Sequence, residues 1–121
     1  MSHWPLILAS VALTSIGQLF FKRGMIFLDH SHQHASLWKL IGYGLFNGYV
    51  FLGFLSFGAG AVLWLAVLAK EEVSYAYPLS SLGYLIVLIG SFFLFHENIS
   101  TARIIGILLL IFGVFFIEYS R

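Results

Sequence analysis

The stretch Val73–Phe95, VSYAYPLSSLGYLIVLIGSFFLF, carries no formal charge over 23 residues. At ~1.5 Å per residue it is long enough for a tilted helix across the hydrocarbon core of a bilayer. In hydrocarbon the backbone must satisfy its own hydrogen bonds, which an α-helix does. The first half of the stretch is not simply apolar. Tyr75, Tyr77, Pro78, Ser80, Ser81, Gly83 and Tyr84 crowd into ten positions. A helix serving only as an anchor has no use for them, so they must meet another helix, water or a ligand. Pro78 frees one backbone carbonyl and invites a kink. Two readings are open. The polar half is the wall of a cavity, or its serines and tyrosines only hydrogen-bond between helices. The cost of idle polar groups in lipid favours the cavity.

The rest of the chain keeps the same company. Of its 121 residues, 60% are hydrophobic and 9% are charged, against roughly 25% charged in a soluble domain. No long soluble segment interrupts it, so residues 1–121 read as a single four-helix transmembrane domain. A net charge of +1 argues against nucleic acid, and the absence of cysteine excludes disulfides and thiol chemistry. The N-terminus MSHW has no Lys or Arg before its apolar run, and no A-x-A site follows. A cleaved signal peptide is not expected, and the first span stays in the protein.

That first span is expected at about Pro5–Phe21. Pro5 suits a first helical turn and Trp4 a membrane–water interface. Lys22 and Arg23 close the span, and Gly24 is expected to terminate the helix. Ser10, Thr14, Gln18 and Lys22 recur every four residues and share one face. Gly17 beside them allows a neighbour to approach closely. Such a stripe could lead an anionic group into the membrane. Equally, Ser and Thr could bond their own backbone while Lys22 snorkels.

Asp29–Ser36, DHSHQHAS, is the clearly polar loop. His30, His32 and His34 alternate in it, but no cysteine or suitably spaced carboxylate joins them, so a solvated loop is expected and no metal site. Leu40–Ala69 holds 30 uncharged residues. One straight helix of that length would be ~45 Å, longer than the ~30 Å hydrocarbon core. A break at Asn47-Gly48 is therefore expected. It separates a short interfacial helix, about Leu37–Phe46 with Trp38 and Lys39 at the surface, from a second span at about Tyr49–Ala69. Gly53, Gly58 and Gly60 give that span a smooth, packable side. Lys70, Glu71 and Glu72 turn the chain into the span at Val73–Phe95. His96-Glu97-Asn98 turns it again, and Ser100 is a candidate N-cap for a fourth span at about Thr101–Tyr119. Arg103 and Glu118 are expected to snorkel at its ends. Gly106 and Gly113 lie seven apart on one face, with Leu110 between them. That face reads as a dimer seam, with an internal packing face as the alternative.

Four spans put both termini on one side. Lys22, Arg23, Lys39 and Arg103 fall on one side of the membrane and Lys70 and Arg121 on the other, a bias towards outward-facing termini. Four short helices enclose little volume alone. Two copies would give eight helices and a central cleft of the transporter kind.

The order of motifs is informative. T-S-I-G-Q-L-F-F-K-R-G is followed by V-L-W-L-A-V-L-A, V-S-Y-A-Y-P-L-S-S-L-G-Y, F-H-E-N-I-S and R-I-I-G-I-L-L-L-I-F-G-V. In this order the chain resembles the four-helix branch of the drug/metabolite transporter superfamily. It is most similar to the small subunits of the flippase for undecaprenyl-phosphate-linked aminoarabinose, and more distantly to the small multidrug resistance exporters. The resemblance implies a bacterial inner-membrane transporter that acts as a homodimer or as a heterodimer with a similar small subunit. It implies a lipid substrate with an anionic phosphate and a polyprenyl tail, and no cofactor. The multidrug exporters carry a glutamate in the first span where substrate and proton compete, and that slot here is Thr14. A neutral Thr cannot carry a proton or neutralise a cationic drug, which favours the lipid-carrier branch. The candidate substrate-binding residues are Thr14, Gln18, Lys22, Arg23, Tyr77, Ser81 and Tyr84, which supply cationic and hydrogen-bond donors for a phosphate. The competing readings are a small-solute or drug exporter of the same fold and a non-transporting accessory subunit. No catalytic constellation is present, so an enzyme is not expected.

Overall fold

The computed structural model describes residues 3–120. They form six α-helices and one 3-10 turn, with no strand among the described residues. Four helical segments are long and apolar enough to cross a membrane. In chain order the elements are α1 (Trp4–Ser31), α2 (Leu37–Leu45), α3 (Gly48–Lys70), α4 (Val73–Leu79), the 3-10 turn Ser80–Leu82, α5 (Gly83–Phe95) and α6 (Thr101–Ser120). The four expected spans are present, with boundaries close to those expected for all but the first.

Helix α1 runs on past Gly24 for two further turns, contrary to the expectation that Gly24 ends it. The reason is packing. A Cβ at Gly24 would lie 2.6 Å from Asn47 Oδ1 and 2.7 Å from Val50 Cγ2. The glycine is needed for close approach, and its backbone stays helical. The helix ends instead at His32, whose N–H donates to Leu28 O at 2.9 Å. Asp29, His30 and Ser31 are helical, so the polar loop is shorter than its composition suggests. With 28 residues, α1 is ~42 Å long and exceeds the ~30 Å hydrocarbon core. That excess leaves room for charged Lys22 and Arg23 near a membrane border.

The long uncharged run is divided where expected. Ser36 caps α2 by accepting from Lys39 N–H at 3.3 Å. Asn47 caps α3 by accepting from Tyr49 N–H at 2.9 Å and Val50 N–H at 3.3 Å. Two capped N-termini close together are stable in a way that one overlong helix is not.

The antiparallel pair α1 and α3 is the most extensively packed part of the fold. Glycines let the two backbones touch at Gly17, Gly53 and Gly60. Ser10 Oγ donates to Gly60 O at 2.7 Å, and Ser56 Oγ donates to Leu13 O at 2.6 Å. In lipid there is little hydrophobic force between helices, so close packing and such hydrogen bonds hold them. Gly58 is not part of this side: a Cβ there would meet nothing within 4 Å. Helix α5 packs on α1 through Gly83 and Gly90, which meet Ser15 and Leu19. The buried core lies towards the N-terminal end of α1, where Ile7 and Val11 meet Val67, Tyr75, Ala76, Leu79 and Val114.

Pro78 stands inside α4, and the chain tightens into the 3-10 turn just after it. Helix α5 closes on His96, whose φ of 54° is left-handed. Ser100 caps α6 as expected, accepting from Arg103 N–H at 3.2 Å. Helix α6 packs mainly on α4 and the 3-10 turn, and its one buried residue, Val114, joins the core that Ile7, Val11 and Val67 share. A side chain added at Gly106 or Gly113 would meet nothing within 4 Å.

Candidate functional site

A cavity of about 550 Å³ opens between α1, α3 and the α4–α5 segment. Helix α1 supplies Ser10, Thr14, Ser15 and Gln18 to its wall. Helix α3 supplies Phe57, Ala61 and Trp64. The opposite wall carries Tyr77, Ser80 and Tyr84. The periodicity of four along α1 is what turns Ser10, Thr14 and Gln18 to one side. The glycine contacts beneath them hold α3 close enough to form a floor.

The polar groups of the wall fall into two classes. Several are tied to backbone: Ser10 to Gly60 O, Thr14 Oγ1 to Val11 O at 3.0 Å and Ser10 O at 3.1 Å, Ser15 Oγ to Gly83 O at 3.5 Å, and Ser80 Oγ to Tyr77 O at 2.5 Å. These satisfy their own donors, as hydroxyls in apolar surroundings must. The Gln18 amide and the Tyr77 and Tyr84 hydroxyls have no hydrogen-bond partner among the described residues. Tyr77 and Tyr84 are 67% and 56% exposed, so these are the donors that a guest in the cavity would meet. Among the described residues no charged side chain lines the cavity.

Of the residues singled out from sequence, the structure brings Thr14, Gln18, Tyr77 and Tyr84 to one cavity. Ser81 is not on its wall; Ser80 stands there instead. A 3-10 turn has 3.0 residues per turn, so position 80 falls under Tyr77 where a regular α-helix would put 81. Lys22 is exposed one turn beyond Gln18 and does not line the cavity. Arg23 lies elsewhere, its guanidinium carbon 5.8 Å from the centre of the Tyr49 ring. The whole α3 wall is absent from the sequence reading, because Phe57, Ala61 and Trp64 are apolar. Trp64, a Trp in the middle of a span rather than at an interface, is the signal that could have pointed to it.

A second polar cluster was also not anticipated. His3 Nδ1 and Glu71 Oε1 lie 2.8 Å apart, tying the start of α1 to the end of α3. The Tyr75 hydroxyl donates to Glu118, tying α4 to α6. Glu118 therefore does not merely snorkel to solvent. In the polar loop the histidines form no metal-binding cluster among the described residues. His32 stacks on Tyr43, with ring centres 4.2 Å apart.

Comparison with known proteins gives a consistent picture. The family model of the EamA-like transporter family matches residues 1–119. A probable 4-amino-4-deoxy-L-arabinose-phosphoundecaprenol flippase subunit ArnE of Aeromonas salmonicida is 34% identical over 84% of this chain and 83% of its own length. Proteins of the same printed name from Enterobacter sp. (31% identical) and Pseudomonas fluorescens strain Pf0-1 (34% identical) each match over 94% of both chains. No solved structure gives a significant match. These relatives are named as transporter subunits, not enzymes. With four apolar helices and a family match along nearly its whole length, this multi-pass membrane protein belongs to the EamA-like transporter family.

Proposed function

We propose that the chain is a subunit of a flippase that moves a polyprenyl-phosphate lipid, with or without an attached sugar, between the leaflets of the bacterial inner membrane. The tail stays in the bilayer while the head group crosses through the cavity. The observation that carries this reading is the character of the wall. It is neutral, and it offers the Gln18, Tyr77 and Tyr84 donors to a guest rich in oxygen. A cationic drug would need a buried carboxylate for its charge, and the slot for one holds Thr14, already bonded to its own helix. The relatives' names, which specify an aminoarabinose-phosphoundecaprenol flippase, support the lipid reading over drug export.

In this reading Lys22, the next residue of the polar stripe, takes the phosphate at the membrane border as the head group enters. A cation there is cheap to keep because its stem reaches the interface. Helix α2 lies along the membrane surface with Trp38 and Lys39 outward. Two protomers, identical or similar, pair through the Gly106–Leu110–Gly113 face of α6, which is open in the single chain. The test is reconstitution of the full chain, alone and with a similar small subunit. Vesicles are loaded with undecaprenyl-phosphate-linked aminoarabinose or with a quaternary ammonium drug. Movement of the lipid without movement of the drug is expected. Movement of the drug alone would contradict the proposal.

A further inference from the structure

On the face of α1 turned away from the cavity lies an apolar groove of about 480 Å³, formed with the end of α5. Ile16, Leu19 and Phe20 face Leu94 and Phe95 across it, and Arg23 stands at its end. A further hollow of about 470 Å³ shares Arg23 and Phe95 and adds His30 and Ser31. Position 23 is nine residues from Thr14, about 180° around the helix. The groove and the cavity are therefore separate places on opposite faces of α1.

Arg23 is in an unusual position. Its guanidinium lies over the Tyr49 ring, and among the described residues no carboxylate is within ion-pair distance of it. A guanidinium is always charged and grips phosphate oxygens through two parallel N–H groups. Below it, the groove descends from the level of the charged residues to Ile16, deep in the span. Its walls, with Tyr49 among them, are aliphatic and aromatic, and it is open to the surface rather than enclosed. A ligand that fits has one anionic end at the border and an apolar chain that can continue into the bilayer. We infer that this groove is a docking site for the polyprenyl phosphate itself, with Arg23 on the phosphate and the first isoprene units between α1 and α5. The inference rests on the carrier-lipid reading above and adds a second site to it. Lys22 and Arg23 are neighbours about 100° apart around α1. Transfer of the phosphate from one to the other moves the lipid from groove to cavity mouth.

The test uses the full chain in phosphatidylcholine vesicles with a photoreactive undecaprenyl phosphate, the adducts being mapped by mass spectrometry. Adducts are expected on the Ile16–Arg23 and Leu94–Phe95 segments. Arg23→Gln should lower them about ten-fold or more, and Ile16→Trp, which plugs the inner end, should lower them independently. Lys22→Ala should leave them in place. Excess unlabelled undecaprenyl phosphate should compete, and phosphatidylglycerol or inorganic phosphate at the same concentration should not. Unchanged labelling in both Arg23→Gln and Ile16→Trp would overturn the inference, as would equal competition by phosphatidylglycerol or inorganic phosphate. Labelling that fails while the lipid still flips removes the groove alone. Labelling that persists in a chain that never flips lipid removes the flippase reading and leaves the groove.

Discussion

Gly17 and Gly53 face each other where α1 crosses α3. A Cβ on Gly17 would lie 2.8 Å from Gly53 O, and one on Gly53 would lie 2.9 Å from Gly17 O. The obstructing atoms are backbone, which cannot step aside. The cavity floor depends on this contact, because α3 brings Phe57, Ala61 and Trp64 to the site only by lying this close to α1.

Replacing Gly17 with Ile should therefore destabilise the fold by about 1–3 kcal/mol, the usual cost of overpacking. Gly58→Leu is the control. Its side chain would enter open space and should not destabilise the fold, the better helix propensity of Leu adding up to about 1 kcal/mol of stability. Denaturant titration of helicity in detergent measures both. Equal stability of the two variants would contradict the packing account.

The Tyr75–Glu118 bond joins α4 to α6, a helix with few other attachments. A hydrogen bond to a carboxylate contributes about 1.5–3 kcal/mol. Tyr75→Phe and Glu118→Gln should each destabilise, and a double-mutant cycle should show a coupling of at least ~0.5 kcal/mol. Strictly additive effects would mean that the two side chains do not act together.

How much of this was legible beforehand differs by feature. The four spans and the break at Asn47 follow from length against bilayer thickness and from a side chain able to cap, both of which are local properties. The Thr14–Gln18 face was legible because periodicity needs no neighbour. Gly24 misled because a glycine serves equally as a helix terminator and as a close-packing site, and only α3, with Asn47 and Val50, decides between them. Ser81 was exchanged for Ser80 because a 3-10 turn changes the angular step, and Pro78 announces a disturbance without giving its pitch. The ties from His3 to Glu71 and from Tyr75 to Glu118 span 68 and 43 residues. No local pattern carries such pairings.

Dimerisation through α6 predicts that Gly113→Leu favours monomers in detergent, since its side chain would enter the space the partner needs. Cross-linking yield should fall relative to wild type at equal folded yield. An unchanged yield would point to a different seam.

Lys22→Ala should weaken entry of the head group into the cavity. Loss of one charge-assisted contact corresponds to roughly ten- to hundred-fold in affinity. A lipid bearing a photoreactive sugar should label the Gln18 and Tyr84 segments less in this variant. Ser10→Ala, farther down the stripe and bonded to Gly60 O, should change the labelling much less. Wild-type labelling in Lys22→Ala would remove Lys22 from the pathway.

Blocking the cavity between α1, α3 and α4–α5 tests whether the head group crosses through it. Ala61 lines it and is exposed, so Ala61→Trp fills the passage without disturbing the helix contacts. Vesicles carrying undecaprenyl-phosphate-linked aminoarabinose in the inner leaflet are treated outside with an impermeant amine-reactive reagent. With the wild-type chain and its partner subunit, the inner-leaflet lipid should become reactive. With Ala61→Trp at equal folded yield, it should stay protected as in protein-free vesicles. Undiminished reaction in the Ala61→Trp vesicles would contradict the account.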